Sequence, residues 1–249
     1  MKQLLLDAFL VRDEAATSRA EAREIQKQDD RYVLQAFAEY EDVEQNVYVA
    51  RPRHRLKQGD IPYCKCKPLA GSSETCGASC ENRVTQTECV RGHCTTKLKC
   101  GNQRMQDNYN SLLALRRVEG KGIGLFADSP IDNGDLVAQY VGEVITRQMY
   151  IDREKVATRI SNRMYRLAVS SKEVIDARYL GGMARFANHS CNPNCEVQRW
   201  EVAGETCCAF FALKNITKDS EITISYGKIP DGNKAKDQEK CFCHARNCQ

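Results

Sequence analysis

The 249 residues contain no apolar run approaching the roughly 18 to 20 residues that cross a bilayer, so the sequence offers no membrane span. The opening MKQLLLDAFLV is apolar only in pieces. Asp7 interrupts it and no small-residue cleavage site follows, so the chain reads as intracellular. A dominant charge is also missing: 37 Lys and Arg against 33 Asp and Glu leave +4, which permits contact with nucleic acid without arguing for it. Residues 1–45 lack glycine and proline altogether, which suits helix by propensity. Their apolar residues group as Leu4, Leu5, Leu6, Phe9, Leu10 and as Tyr32, Val33, Leu34, Phe37, Tyr40, separated by a polar stretch in which Ile25 is the only large aliphatic residue. This predicts two helical patches joined by a solvated segment, the alternative being a polar arm without specific function.

What the chain has in abundance is cysteine. Fourteen in a sequence without a secretion signal point away from disulfides and towards thiolate metal sites, because reducing compartments keep thiols free. Seven fall between residues 64 and 100: Cys64, Cys66, Cys76, Cys80, Cys89, Cys94 and Cys100. So short a segment with few large apolar residues cannot bury enough surface to hold itself folded, whereas tetrahedral zinc–thiolate bonding supplies that stability directly. Seven ligands for two four-coordinate ions require one bridging thiolate. At the C-terminus CFCHARNC presents Cys241, Cys243 and Cys248, three thiolates in need of a fourth.

Ahead of the seven cysteines, RPRHRLKQGDIP (51–62) carries Arg51, Arg53, Arg55 and Lys57 with two prolines. It reads as an extended basic linker, either a solvated connector or a segment that touches phosphates. Residues 110–229 read as short strands, GIGLFA, DLVAQYVGEVI, EVIDARYL and EITISYG, with turn signals between them. One helix, from about Thr146 to Ser161, is expected to interrupt them, with Met149, Tyr150, Val156 and Ile160 at helical spacing.

NHSCNPNC (188–195), KGIGL (121–125) and YVGEV (140–144) together resemble SET-domain lysine methyltransferases. The seven-cysteine block is similar to the AWS (associated-with-SET) module and CFCHARNC to a post-SET motif, in that order over about residues 60–249. The AWS module places the resemblance near the ASH, NSD and SETD groups, and NVYVARP (46–52) with VIDARYLGGMARFANHSC leans it towards ASH. The resemblance implies a mainly β SET fold of small twisted sheets with short helices and a pseudoknot, an exception to the rule against knotted chains. The expected divisions are an N-terminal helical segment (1–45), a basic linker (46–62), the AWS zinc module (63–108), the SET domain (109–229) and the post-SET loop and zinc motif (230–249).

The resemblance further implies S-adenosylmethionine as methyl donor and the histone H3 tail in the nucleosome, lysine 36 above all, as acceptor. A nuclear, chromatin-bound location goes with it, as do nucleosomal DNA against the basic linker and a regulatory protein as further partners; a membrane is not among them. Tyr226 matches the catalytic tyrosine and Tyr165 a second one beside cofactor and lysine, with Tyr140 and Ile224 as channel walls. Lys121, Gly122, Ile123, Asn188 and His189 are expected to hold the cofactor, Phe242 to cover its adenine and Arg185 to brace the loop. Cys191 would complete a zinc site with Cys241, Cys243 and Cys248, with Cys195 as a rival; Cys207 and Cys208 read as buried thiols. Zinc would then number two in the AWS cluster and one in the tail.

The sequence departs from the family at Ile123, at Arg163 and Met164, and at Ile224 and Ser225. Ile224, smaller and without a hydroxyl, leads to the expectation of at least a dimethyl product. The segment from Gly227 to Lys240 is expected to lie across the lysine channel as an inhibitory loop or to serve as a simple linker. Two further readings are a catalytically weak SET-fold chromatin-binding or scaffold module, and a DNA-reading cysteine block, which lacks a basic recognition helix.

Overall fold

The computed structural model describes residues 29–67, 75–157, 165–227, 241–243, 245, 246 and 248. Residues 29–38 are helical and are labelled α1 here. Then come β1 (Glu41–Asp42), β2 (Val47–Tyr48), α2 (Glu81–Val84), β3 (Leu113–Val118), β4 (Gly122–Ala127), β5 (Leu136–Tyr140), β6 (Gly142–Thr146) and α3 (Arg147–Ala157). The chain continues through β7 (Arg166–Ala168), β8 (Glu173–Gly181), β9 (Asn188–His189), β10 (Cys195–Val202), β11 (Glu205–Ala212) and β12 (Thr223–Ile224). The fold is mainly β with few helices. Among the described residues four small sheets carry it: β1-β8-β6-β2 with β7 on β8, β10-β11-β5, the hairpin β3-β4, and the parallel pair β9-β12.

The apolar run in β11 is buried because the strand separates two cores. Alternate side chains of a strand face opposite sides. Cys208, Phe210 and Ala212 enter the main core with Tyr140, Val144 and Ile175, while Cys207, Ala209 and Phe211 meet Met105 and Trp200 on the other face. Cys207 and Cys208 are thus packing residues, and burial pushes their thiols up, to about 12 and about 11.

The expected helix after Thr146 is present as α3, and its residues from 158 onward lie outside the described part. Thr146 caps it, the Oγ1 accepting from the Met149 N–H at 3.2 Å. Tyr150 is buried, but Val156 is exposed, so the expected apolar face is shorter than the sequence spacing implies. A charged contact adds to the packing of Met149 and Tyr150 against Ile145 and Val174: Arg153 donates to both oxygens of Glu143, at 2.7 and 3.0 Å, and to the buried Asp176 at 3.2 Å.

In the basic stretch Arg53, Arg55 and Lys57 are exposed, as a solvated connector requires, and Arg51 departs from that reading. Val47–Tyr48 forms the edge strand beside β6, and the part-exposed Arg51 is held by two carboxylates. Its guanidinium grips Glu173 at 2.7 Å and Glu205 at 2.8 Å, and the His54 N–H also donates to Glu205. Burial alone would raise the Glu205 carboxyl, yet Arg51 and His54 outweigh it and hold it below the usual range.

Candidate active site and thiol clusters

The site forms where β4, β9 and β12 meet. Asn188 and His189 pair in parallel register with Thr223 and Ile224, and Ser190 N–H donates to the Ile224 carbonyl. Asn194 ties the C-terminal strand down, its Nδ2 donating to the Glu221 carbonyl at 2.8 Å and its Oδ1 accepting from the Thr223 N–H at 2.8 Å. This pairing brings Tyr226 to His189: the Tyr226 N–H donates to His189 Nδ1 at 3.2 Å, with ring centroids 5.4 Å apart. The Tyr226 hydroxyl donates to the Ala187 carbonyl at 3.0 Å. Although 60% of the residue is exposed, burial around its hydroxyl and the neighbouring Tyr165 and Glu221 push the phenol up to about 12.

The glycine loop is held by a carboxylate that sequence reading missed. Glu221 accepts from Lys121 Nζ at 3.0 Å and from Asn188 Nδ2 at 2.8 Å, while the same Asn188 amide reaches the Ile123 carbonyl at 3.3 Å. Nothing in a linear sequence pairs residues a hundred positions apart. Gly122 adopts φ +87, open to glycine at little cost, and at Gly124 a Cβ would stand 2.7 Å from Val118 and 3.1 Å from Glu221, too close for a side chain unless they shift. Ile123 and Ile224 are both buried in the main core. Phe242 comes back over the loop, its ring 3.6 Å from where a Cβ on Gly120 would lie.

Arg185 and three tyrosines form the adjoining wall. The buried Arg185 places Cζ 3.8 Å from the Tyr165 ring centroid and 4.3 Å from that of Tyr40. Burial lowers its pKa, opposed by the nearby tyrosines and Glu39. Tyr140 lies near enough to Arg185, Tyr226 and Tyr165 to feel their charges, and burial raises its phenol strongly. Arg163 and Met164, which precede Tyr165, and the loop 228–240 lie outside the described residues.

The seven cysteines of 64–100 come together in one cluster. The sulfurs of Cys64, Cys76, Cys80 and Cys89 form one group and those of Cys76, Cys89, Cys94 and Cys100 another, each within 4.8 Å. Cys66 adds its thiol beside Cys80, Cys76 and Cys64. Measured separations are 3.7 Å for Cys64–Cys76, 3.6 Å for Cys76–Cys94 and 3.9 Å for Cys80–Cys89. Zinc–sulfur bonds of about 2.3 Å in a tetrahedron give edges of about 3.8 Å, so the sulfur set fits zinc. Asn82 and Asn102 each donate to Cys89 Sγ at 3.5 Å, and Thr96 Oγ1 sits 3.1 Å from Cys94 Sγ, supporting contacts absent from the sequence reading.

A third group joins Cys191 to Cys241, Cys243 and Cys248 within 4.8 Å. Cys195 does not join them; it is fully buried at the start of β10, where burial pushes its thiol to about 12. Cys191 Sγ also lies 3.4 Å from His189 Nε2, so the tail cluster and the Tyr226 site share one neighbour.

The short strand β9 that opens the NHSC segment, a glycine loop pinned to it and a cysteine cluster on either side define a SET domain with an AWS domain ahead of it, and the chain carries both. The SET model matches residues 122–227 and the AWS model residues 71–107. Histone-lysine N-methyltransferase ASHH1 of Arabidopsis thaliana is 34% identical over 212 residues, 84% of this chain and 42% of that protein. Histone-lysine N-methyltransferase SETD2 of Homo sapiens is 34% identical over 215 residues, 83% of this chain and 8% of that protein. A protein of Cryptococcus neoformans var. neoformans serotype D named "Histone-lysine N-methyltransferase, H3 lysine-36 specific" is 31% identical over 252 residues, 95% of this chain and 30% of that protein. The chain thus spans less than half the length of these relatives. Among solved structures, "Apo ctPRC2 in an autoinhibited state" is alike in fold alone, with TM-score 0.58 and 24% identity over 66% of this chain and 24% of that one.

Proposed function

We propose that this chain is an S-adenosylmethionine-dependent lysine methyltransferase that acts on histone H3 in chromatin, at lysine 36, and carries its product to dimethyl-lysine or beyond. The observation that supports it most is the convergence of Tyr226, His189, Asn188, Glu221 and Lys121 on one short parallel strand pair, beside the Arg185–Tyr165 wall. The names of the relatives supply the substrate class and the H3 lysine-36 assignment. Nuclear residence, nucleosomal DNA and a regulatory protein as partners, two zinc ions in the AWS cluster and one in the tail, and the expected domain boundaries belong to the same reading.

S-adenosylmethionine, when bound, supplies a methyl carbon made electrophilic by its sulfonium. Lys121, Gly122, Ile123, Asn188 and His189 would hold it, with Phe242 over it and Arg185 and Tyr165 beside it. The chain's own task is positioning, because in-line displacement needs nucleophile and electrophile aligned at near-attack distance. The acceptor amine must also be neutral, and a buried guanidinium close to Tyr140 and Tyr165 disfavours a second positive charge in that wall. With its phenol pushed up to about 12, Tyr226 stays protonated at neutral pH and acts as an orienting hydroxyl rather than a base; the proton of the lysine leaves to water.

The deciding experiment is methyl transfer from S-adenosylmethionine to recombinant nucleosomes, with the modified residue and its state mapped by mass spectrometry and Tyr226→Phe as control. Dimethylation or trimethylation of H3 lysine 36 is expected. Cofactor binding in calorimetry without any transfer would instead make the chain a chromatin-binding module, and a solely monomethyl product would end the multiplicity reading.

A further inference from the structure

Both family models begin after residue 70, yet α1 and the residues that follow it reach the wall of the site. Tyr40 is buried against Phe186, ring centroids 5.8 Å apart and edge-on, and Phe186 meets Tyr165 in the same manner at 6.4 Å. The guanidinium of Arg185 packs against both tyrosine rings, 4.3 Å from Tyr40 and 3.8 Å from Tyr165. Among the described residues its Nη2 donates to the Arg178 carbonyl at 3.3 Å, and its Nε and Nη1 find no hydrogen-bond partner there. The Tyr40 hydroxyl finds none there either. The other end of α1 is fastened to β3, the strand that leads into the glycine loop: Arg117 lies 4.9 Å from the Tyr32 ring and 3.6 Å from Asp29.

A buried cation with two unpartnered N–H groups keeps its place only if its surroundings leave it no better one. Aromatic faces are the attraction in direct contact, with the charge of Glu39 adding to them, and they are strengthened because little water reaches the guanidinium. Take away the face of Tyr40 and the guanidinium is released to seek acceptors elsewhere, and Tyr165 loses the group it rests on. We propose that Tyr40 is a positioning residue for methyl transfer: its ring fixes Arg185, and Arg185 fixes Tyr165 in the lysine-facing wall. This rests on the methyltransferase reading above. It gives the segment ahead of the AWS domain a part in turnover that neither family model covers.

The test compares Tyr40→Phe and Tyr40→Leu in the full chain on nucleosomes, with kcat taken per cofactor-binding site counted by calorimetry. The phenyl ring keeps the face, and the lost hydroxyl had no partner, so Tyr40→Phe is expected within about twofold of the parent. Tyr40→Leu keeps apolar volume without a face, and kcat per site is expected to fall about tenfold while the KM for S-adenosylmethionine moves by less than about threefold. If Tyr40→Leu does not fold, Tyr40→Met carries the same expectation, since its flexible thioether fills the space without a ring. Parental kcat in the ringless variant, an equal loss in Tyr40→Phe, or a loss accounted for by fewer binding sites would each overturn the proposal. A parent chain that transfers no methyl at all would instead sink the methyltransferase reading.

Discussion

Tyr226 combines an exposed ring with a hydroxyl that burial keeps protonated, donating to the Ala187 carbonyl. Tyr226→Phe deletes that hydroxyl and leaves the N–H bond to His189 in place, so cofactor affinity is expected to hold while kcat falls about a hundredfold, as for other lost orienting groups. The pH profile follows from the same protonation state. Only the neutral amine is nucleophilic, so kcat/KM is expected to rise about tenfold per pH unit below the pKa of the bound lysine. Tyr226, at about 12, adds no falling limb between pH 7 and 10, and a maximum followed by decline in that window would contradict its assignment. At this scale the motif residues were legible because NHSC and KGIGL are short and local. Glu221 was not, since its meaning comes from Lys121 and Asn188, which only folding brings near.

At the scale of elements, strands were easier to read than connectors. The segment GIGLFA became β4 as read, and the apolar run CCAFFA (207–212) became a strand buried on both faces. In the stretch 51–62 the sequence does not single out Arg51, because four basic side chains look alike until their partners are known; Arg53, Arg55 and Lys57 are exposed as read. Arg51 belongs to Glu173 and Glu205, joining the segment after β2 to β8 and β11. Arg51→Ala leaves the almost fully buried Glu205 side chain without its main partner and is expected to cost about 1 to 3 kcal/mol in denaturant unfolding, reduced by whatever water screens at the one-third-exposed Arg51. The acid limb should respond as well. Because the folded Glu205 carboxyl is depressed, its stabilisation is present above the unfolded carboxyl pKa of about 4.3 and is lost as pH falls through the folded value. Without Arg51, burial is left to raise that carboxyl, so the variant should lose stability at a higher pH than the parent. Superimposable acid-unfolding curves would show that Arg51 is not the group that holds it.

For the whole molecule, zinc at the thiol clusters would set both stability and the state of the candidate site. A strong zinc chelator is expected to release three metal ions per chain by elemental mass spectrometry and to unfold residues 64–100, which gather seven cysteines and little other core. The tail should follow: without the Cys191, Cys241, Cys243 and Cys248 site, Phe242 loses its place over Gly120 and cofactor binding in calorimetry should drop with the metal. Retention of S-adenosylmethionine by metal-free protein would separate the tail from the site. The sequence by itself pointed to thiolates of metal-ligating type, to strands after residue 110 and to the NHSC segment as the candidate site, because ligand type, alternation and glycine spacing are properties of neighbours in the chain. Only the tertiary structure decided that Glu221 holds the glycine loop, that Cys191 rather than Cys195 meets the tail, and that Tyr40 stands behind Arg185 and Tyr165. Those facts are distances between residues far apart in sequence, and they exist only once the backbone has closed on itself.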